Sequence, residues 1–450
     1  MKWIALALLI IAVPLLTIWL RSNPRQAPFL WGLLGMLPFV INPWRLSVAP
    51  YPAPLWSGYV KGGEFTLLDA VALAIILGSR GRWPKIYFLV PLGLYLFAIL
   101  IGVFQADFWQ LSSSYLIQMV RVSIVMIAVA RVTATEQGQR AVLTGLIFGL
   151  AIQAGYAIAE RAGGALQTGG SLGHQNLLGF VSHMAVMPAL ALFLAGRYWK
   201  TALLGVMAGL IVIVLTASRA TIAAGGFGLF LTLILSLLIR FTGRKILVGA
   251  AGLVLILASL PFAQASFERR FQQQGTTFFA EDLERQAFAR AAWSMISDHP
   301  LGVGPNHYVF VANTEGYNDG AGVAWGSGSR STSVHNAYLL VLAENGIYGL
   351  GALLALLLAG IYRAFSSAWR YRRQQGSEVL IGSGCALIAI CLHSFLEWML
   401  VLHTVQYLLG ITLGLISGLI VSLSRSHSLG PVRRQPAIGP IGAAAVARAG

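Results

Sequence analysis

A histidine and an asparagine stand side by side where the longest polar interval of this chain returns to apolar sequence. They are His335 and Asn336, and residues 331–333 just before them read Ser-Thr-Ser. Serine and threonine are favourable N-cap residues, so we expect His335 and Asn336 in the first turn of an apolar helix. The free N–H groups of such a turn bind phosphate oxygens. An imidazole beside them is suited to accept a proton.

Arginine is the side chain best suited to hold a phosphate group, because its planar fork binds oxygens in pairs and keeps its charge. Arg219 lies in a tight turn between two apolar runs that we place on the outer side, where basic residues are otherwise sparse. The alternative interpretation is that Arg219 is an interfacial residue, whose stem lies along apolar surface while its charged head stays in water. Arg285 lies on a helix expected over residues 282–297, and pairing with Glu281 or Glu284 is the alternative there.

Acidic and polar residues near other helix ends are further candidates for site residues. Glu397 is an acid within apolar sequence, which is costly unless it is partnered, and we expect its partner to be an arginine or His335. His174 and Asn176 follow the glycines at residues 169 and 170 where another apolar run begins. A glycine-rich turn with a polar cap explains this second stretch equally well.

The composition identifies an integral membrane protein. Of 450 residues, 57% are hydrophobic and 10% are charged, and mean hydropathy is +0.74. Apolar runs long enough to cross a bilayer recur along the chain, without the alternation typical of a membrane barrel. We therefore predict an all-α membrane protein. The net charge of +16 reflects short basic clusters between apolar runs, so we expect membrane lipids and no nucleic acid as partners.

The apolar runs predict 12 or 13 transmembrane helices, the number depending on whether one weak early segment crosses. Residues 266–334 carry seven acids and five bases, so this long loop belongs outside, while the basic clusters belong in the cytoplasm. The predicted units are an N-terminal bundle over 1–265, a periplasmic loop subdomain over 266–334, C-terminal helices over 335–424 and a disordered basic tail over 425–450. The predicted spans are 3–20, 29–41, 65–79, 84–104, 113–130, 140–160, 174–196, 199–217, 221–239, 245–265, 335–362, 378–401 and 404–424.

No metal site is predicted, because the histidines do not show the spacing of known zinc motifs. We expect no metal and no cofactor. The two cysteines fall in one apolar run and are interpreted as packing residues.

One spaced pattern resembles a known signature. His335-Asn336, nine residues, Gly346, two residues and Gly349 resemble the signature of the O-antigen ligase superfamily. We expect these glycines, with Gly351, to let a neighbouring helix approach closely. Four further stretches are also similar to this superfamily. They are the Ser-Arg turn at Arg219, the arginine before an Asp-His-Pro-Leu-Gly-Val-Gly stretch, the Gly-to-Asn stretch and the His-Ser-acid stretch.

The resemblance implies a multi-pass glycosyltransferase of the GT-C-like kind in a bacterial inner membrane, with its active site facing the periplasm. Its donor would be a glycan on undecaprenyl pyrophosphate, and its acceptor the hydroxyl of lipid A core. The implied roles are His335 and Glu397 as catalytic residues and Arg219 and Arg285 as pyrophosphate ligands. Secondary candidates are Asn336, His174, Asn176 and Arg290.

Other functions remain open on the sequence. Within the superfamily, a polysaccharide polymerase or a protein O-oligosaccharyltransferase differs only in its acceptor. From another class, a flippase or transporter would move the lipid-linked sugar without chemistry, and would need functional charges near the middle of the membrane.

Overall fold

Helices account for most of the chain in the computed structural model, which describes residues 2–274 and 277–428. Within these ranges there are seventeen α-helices, two short 3-10 helices and one antiparallel pair of strands, β1 (Ser47–Pro52) and β2 (Gly62–Thr66). The α-helices are α1 (Lys2–Ser22), α2 (Ala27–Val40), α3 (Leu67–Gly78), α4 (Leu89–Gln105), α5 (Trp109–Thr133), α6 (Glu136–Ala162), α7 (Gln175–Ala195), α8 (Trp199–Leu215), α9 (Arg219–Ile239), α10 (Gly243–Gln274), α11 (Thr277–Asp298), α12 (Tyr308–Thr314), α13 (Tyr317–Gly320), α14 (Ser327–Arg330), α15 (Ala337–Arg370), α16 (Ser377–His393) and α17 (His403–Ser428).

The protein is an all-α integral membrane protein, as predicted. Among the described residues, seven helices are long and apolar enough to cross a membrane, namely α1, α5, α6, α7, α9, α15 and α17. Five shorter apolar helices, α2, α3, α4, α8 and α16, accompany them. The predicted basic tail begins inside α17, which continues to Ser428, and residues 429–450 lie outside the described residues.

The bundle has two chemically different ends. At one end, the loop between α11 and α15 meets the start of α5, where Ser112 Oγ donates to the carbonyl of Pro305 at 2.6 Å. At the other end of α5, Arg131 donates to the backbone carbonyls of Arg80 and Arg82. Ser112 and Arg131 are about 29 Å apart along the helix. We call these two ends of the bundle the loop end and the basic end.

The first helix runs from the loop end to the basic end. Trp3 at its start packs edge-on against Tyr51 of β1, with ring centroids 5.5 Å apart. Arg21 at its finish donates to the carbonyl of Leu77, where α3 ends.

Small residues set how closely the inner helices pack. The helix α7 is almost enclosed, since it lies against α6, α8, α9 and α16. A Cβ atom added at Gly179 of α7 would lie 1.9 Å from the hydroxyl of Thr221 on α9. A Cβ at Gly145 of α6 would lie 1.9 Å from the carbonyl of Gly32 on α2. Glycine is therefore required at both crossings, because any side chain would force the helices apart.

The glycines of the spaced pattern do not act as expected. Gly346 has φ of +62° and breaks the regular geometry inside α15. A Cβ there would lie 2.5 Å from the backbone of Leu301, so the segment that packs against it is the loop after α11 and not a neighbouring helix. A Cβ at Gly351 would meet nothing within 4 Å.

A buried acid fastens this loop to α15. Glu344 is fully buried and accepts hydrogen bonds from the hydroxyl of Tyr59 at 2.6 Å and from the backbone N–H of Tyr308 at 3.1 Å. The backbone N–H groups of Val303 and Gly304 donate to the carbonyls of residues 343 and 344, each at 2.9 Å. The break at Gly346, directly after Glu344, thus belongs to a fixed contact between the long loop and the membrane helix.

A buried ion pair joins α3, α5 and α17. Arg121 Nε donates to Asp69 Oδ2 at 2.8 Å, and the side chains are only 6% and 8% exposed. Tyr407 donates to the other oxygen of Asp69 at 2.7 Å. Asp69 also accepts from the backbone N–H of Thr66 at 2.7 Å, which caps α3. The two opposite charges compensate each other, as charge buried in apolar surroundings requires.

Replacing Asp69→Asn should destabilise the protein by about 3–5 kcal/mol, because it leaves the guanidinium of Arg121 buried without a counter-charge. The measurement is thermal unfolding of the purified protein in detergent. The control is the double replacement Asp69→Leu with Arg121→Met, which removes both charges and should cost less than Asp69→Asn. Equal or smaller loss in the single variant would contradict this account of the pair.

Candidate functional site

Three distant parts of the chain meet at one carboxylate at the loop end. Arg285 on α11 donates from Nη2 to Glu397 Oε1 at 2.9 Å and from Nη1 to the carbonyl of Leu396 at 3.1 Å. Asn176, in the first turn of α7, donates from Nδ2 to the same Glu397 oxygen at 2.6 Å. The expected arginine partner of Glu397 is therefore Arg285.

The early end of α16 is what turns Glu397 toward these partners. The apolar run predicts one helix over 378–401, but α16 ends at His393. The backbone N–H groups of Leu396 and Glu397 both donate to the carbonyl of His393, at 3.0 and 3.1 Å, which closes the chain into a turn. A 3-10 helix, Met399–Val401, follows before α17. The break replaces a continuous helical face by a short turn that carries Glu397.

Burial gives Glu397 an unusual affinity for protons. The residue is 1% exposed, and its burial raises the pKa to about 7 despite the opposing effects of Arg285 and Asn176. Both hydrogen bonds reach Oε1, while Oε2 is buried and has no hydrogen-bond partner in the part of the chain that the structure describes. The proton that neutralises Glu397 therefore belongs on Oε2. Arg285 differs from its partner, since its side chain is 37% exposed and remains accessible to a ligand.

His335 lies beside the same arginine. Its ring packs against Phe288, with centroids 5.6 Å apart, and Phe288 follows Arg285 by three residues on one face of α11. Burial, together with the charges of Arg285 and His174, lowers the pKa of His335 to about 4. The imidazole is therefore neutral near pH 7 and able to accept a proton. Sequence reasoning does not single out Phe288, although its spacing from Arg285 was an available signal.

The expected helix start at His335 is wrong by two residues. Asn336 is the N-cap of α15, and its side-chain oxygen accepts from the backbone N–H groups of Tyr338 at 2.9 Å and Leu339 at 3.1 Å. The N–H of Ala337 donates to the carbonyl of Ser394 at 2.9 Å. His335 thus precedes the helix. The protein's own groups already occupy the N–H groups that were expected to bind phosphate.

The backbone N–H groups of the glycine stretch before α7 also have hydrogen-bond partners within the protein. The backbone N–H groups of Gly169 and Gly170 donate to Glu160 Oε2 at 2.9 and 3.0 Å. His174 caps α7, and its Nδ1 accepts from the N–H of Asn176 at 3.2 Å. His174 and Asn176 therefore shape this corner, and Asn176 turns its amide to Glu397.

The two remaining arginine candidates occupy different places. Arg219 is exposed in the first turn of α9, with Ser218 as its N-cap. The turn before it is tied to the loop that leads into α7, because Gln167 donates to the carbonyl of Ala217 at 3.3 Å. Arg290 is exposed and donates to the carbonyl of Ala321 at 2.9 Å, so it braces the long loop. Among the described residues no group of three or more potential metal ligands is found.

Part of the chain matches a known protein family. Residues 202–354 match the family model described as O-antigen ligase. This match, over part of the chain, supports the resemblance to the O-antigen ligase superfamily. The family supports a membrane function in glycan transfer, and the resemblance read from the residues is confirmed. A search of curated proteins finds no match.

The matched segment holds only part of the site. It contains Arg219, Arg285, Arg290, His335 and Asn336. Three further candidates lie outside residues 202–354, namely His174, Asn176 and Glu397. In the folded protein, Asn176 and Glu397 are hydrogen-bonded to each other, and Glu397 pairs with Arg285.

Glycan transfer should lose activity as the pH falls through about 7, because protonation of Glu397 removes the charge that holds Arg285. His335 has its pKa near 4 and remains neutral over this range. The variant Glu397→Gln should be slower but should lack this step between pH 8 and about 5. The measurement is kcat/KM against pH for both proteins. A step near pH 7 that persists in the variant would show that another group titrates.

Proposed function

We propose that this protein transfers a glycan from undecaprenyl pyrophosphate to an acceptor hydroxyl, without a metal ion, at the loop end of the bundle. The observation that carries the proposal is the placement of Arg285, anchored on a buried carboxylate and partly exposed beside a neutral imidazole. A fixed cation next to a proton acceptor is what displacement of a pyrophosphate by a hydroxyl requires.

In this reaction the acceptor oxygen attacks the anomeric carbon of the donor sugar. The bond between that carbon and the pyrophosphate oxygen breaks, and the leaving group takes the electron pair. Arg285 and Arg219 bind the developing negative charge, and the ring of His335 accepts the hydroxyl proton. Glu397 and Asn176 position Arg285. In-line displacement inverts the anomeric centre.

The distribution of charge supports the orientation that we propose. Arg80, Arg82 and Arg131 cluster at the basic end, opposite Arg285 and His335. Short basic segments remain in the cytoplasm of bacterial inner-membrane proteins, so we place the loop end and its site in the periplasm. A donor linked to a polyprenyl chain reaches such a site from the surrounding lipid. Lipid A core is the first acceptor we propose.

Another class of function is a flippase for lipid-linked sugars. The buried pair Arg121 and Asp69 favours it, because transporters place functional charges inside the membrane. Both members of this pair are, however, fully engaged with each other and with Tyr407. The site at Arg285 also lies at one end of the bundle. Release of undecaprenyl pyrophosphate by protein in detergent, where transport has no meaning, separates the two functions.

Replacing His335→Ala should reduce release of undecaprenyl pyrophosphate by about 10²–10⁴-fold, the range for loss of a general base. The measurement is product formation from a defined lipid-linked glycan in detergent, with folding checked by thermal unfolding. A folded variant that releases the pyrophosphate at the original rate would exclude His335 as the proton acceptor.

Replacing Arg285→Gln should slow the same reaction by about 10²–10³-fold, since a donor aimed at the developing charge is lost. Arg290→Gln is the matched control on the same helix, because Arg290 contacts the carbonyl of Ala321 and not the site. It should retain activity within about threefold of the original. Equal losses in both variants would point to a general effect on α11.

The acceptor is found by supplying lipid A core, the free glycan chain and a hydroxyl-bearing protein separately. Mass measurement of each product distinguishes the ligase from a polymerase and from a protein O-oligosaccharyltransferase.

A further inference from the structure

Two buried histidines face each other inside the bundle, next to the site but outside the proposed chemistry. His183 on α7 and His393 at the end of α16 are both 0% exposed. His183 Nε2 and His393 Nδ1 are 3.2 Å apart, which is a hydrogen-bond distance. The other ring nitrogens, His183 Nδ1 and His393 Nε2, are buried and have no partner within residues 2–274 and 277–428.

The spacing along both segments aligns this contact with the site. His183 follows Asn176 by seven residues on α7, which is two helical turns and the same face. His393 precedes Glu397 by four residues, and its carbonyl accepts from the N–H of Glu397. Two polar contacts therefore cross the same interface between α7 and the end of α16. The outer contact joins Asn176 to Glu397 at 2.6 Å, and the inner contact joins His183 to His393.

Apolar surroundings make the inner contact specific. The ring of Phe180 lies 5.0 Å from that of His393, and a Cβ added at Gly225 of α9 would lie 3.0 Å from His183 Cε1. The two rings are thus packed against Phe180 and the backbone of Gly225. A buried donor left without its acceptor costs about 1–3 kcal/mol, so sliding or rotating α16 against α7 is unfavourable.

We propose that His183 and His393 are a positioning pair, whose hydrogen bond fixes the end of α16 on α7 so that Glu397 meets Asn176 and Arg285. The pair touches neither substrate nor reacting atoms. It acts through Glu397 and therefore rests on the proposed function. Its effect belongs to the chemical step, because Arg285 must be aligned with the leaving oxygen as charge develops there.

Amide side chains allow the hydrogen bond to be tested separately from packing. The amide of asparagine lies where Nδ1 of histidine lies, and that of glutamine reaches the position of Nε2. His393 bonds through Nδ1 and His183 through Nε2. The matching replacements are therefore His393→Asn and His183→Gln. His393→Gln and His183→Asn carry the same chemical group at the wrong length and serve as matched controls.

The test measures kcat and KM for the lipid-linked donor in these four variants and in His183→Ala and His393→Ala. The alanine variants and the wrong-length amides should lose about 10²-fold in kcat with a smaller change in KM, as for misplacement by about 1 Å. The matching amides, singly and together, should recover most of kcat. Equal losses in matching and wrong-length variants would overturn the proposal, and so would full activity in His183→Ala.

A second measurement does not depend on turnover. If wild-type protein releases no undecaprenyl pyrophosphate, the proposed function fails, and the pair is tested by thermal unfolding of Asn176→Ala, His183→Ala and their double variant. Coupled contacts give a double variant less destabilised than the sum of the single effects. Additive effects would show that the inner contact does not hold the outer one, which would overturn the proposal.

Discussion

The site depends on one ion pair with unequal surroundings. Glu397 is enclosed and Arg285 is partly open, so the buried carboxylate fixes a cation that can still reach a ligand. The two residues are separated by 112 positions, and Asn176 is 221 positions from Glu397. The early end of α16, the start of α7 and the placement of α11 each serve to bring these groups together. Without the carboxylate, a long arginine side chain would have many conformations and no fixed direction.

The same structure removes another means of binding phosphate. Helix starts usually offer free N–H groups to anions. Here Asn336 and the carbonyl of Ser394 occupy those of α15, and Glu160 occupies those of the glycine stretch before α7. Under the proposed function, recognition of a pyrophosphate at this site therefore depends on arginine side chains. A guanidinium suits this task because its planar fork binds phosphate oxygens in pairs.

Burial acts on the two titratable groups of the site in opposite directions. It disfavours whichever form is charged, so it lowers the pKa of His335 and raises that of Glu397. Near pH 7 the imidazole is neutral while the carboxylate is close to its midpoint. A neutral base and an anchored cation can therefore stand side by side, although a second positive charge on the ring would repel Arg285.

The sequence by itself determined the fold class and most helix positions, because runs of apolar residues long enough to cross a bilayer have few alternatives. The predicted span over 174–196, for example, is α7 almost to the residue. The sequence also determined the candidate residues, since an acid such as Glu397 in apolar sequence and a His-Asn pair at its border are unusual. Both observations depend only on residues that are neighbours in the chain.

Only the tertiary structure decided which of these residues meet. Glu397 could have paired with His335, and Arg285 with Glu284, but Arg285 pairs with Glu397 because α16 ends early at His393. Two other contacts also join elements that are distant in sequence. They are the contact between His183 and His393 and the hydrogen bond from Tyr59 to Glu344. Such pairings depend on how helices pack and where they break, and apolar periodicity contains no information about partners more than a few turns away.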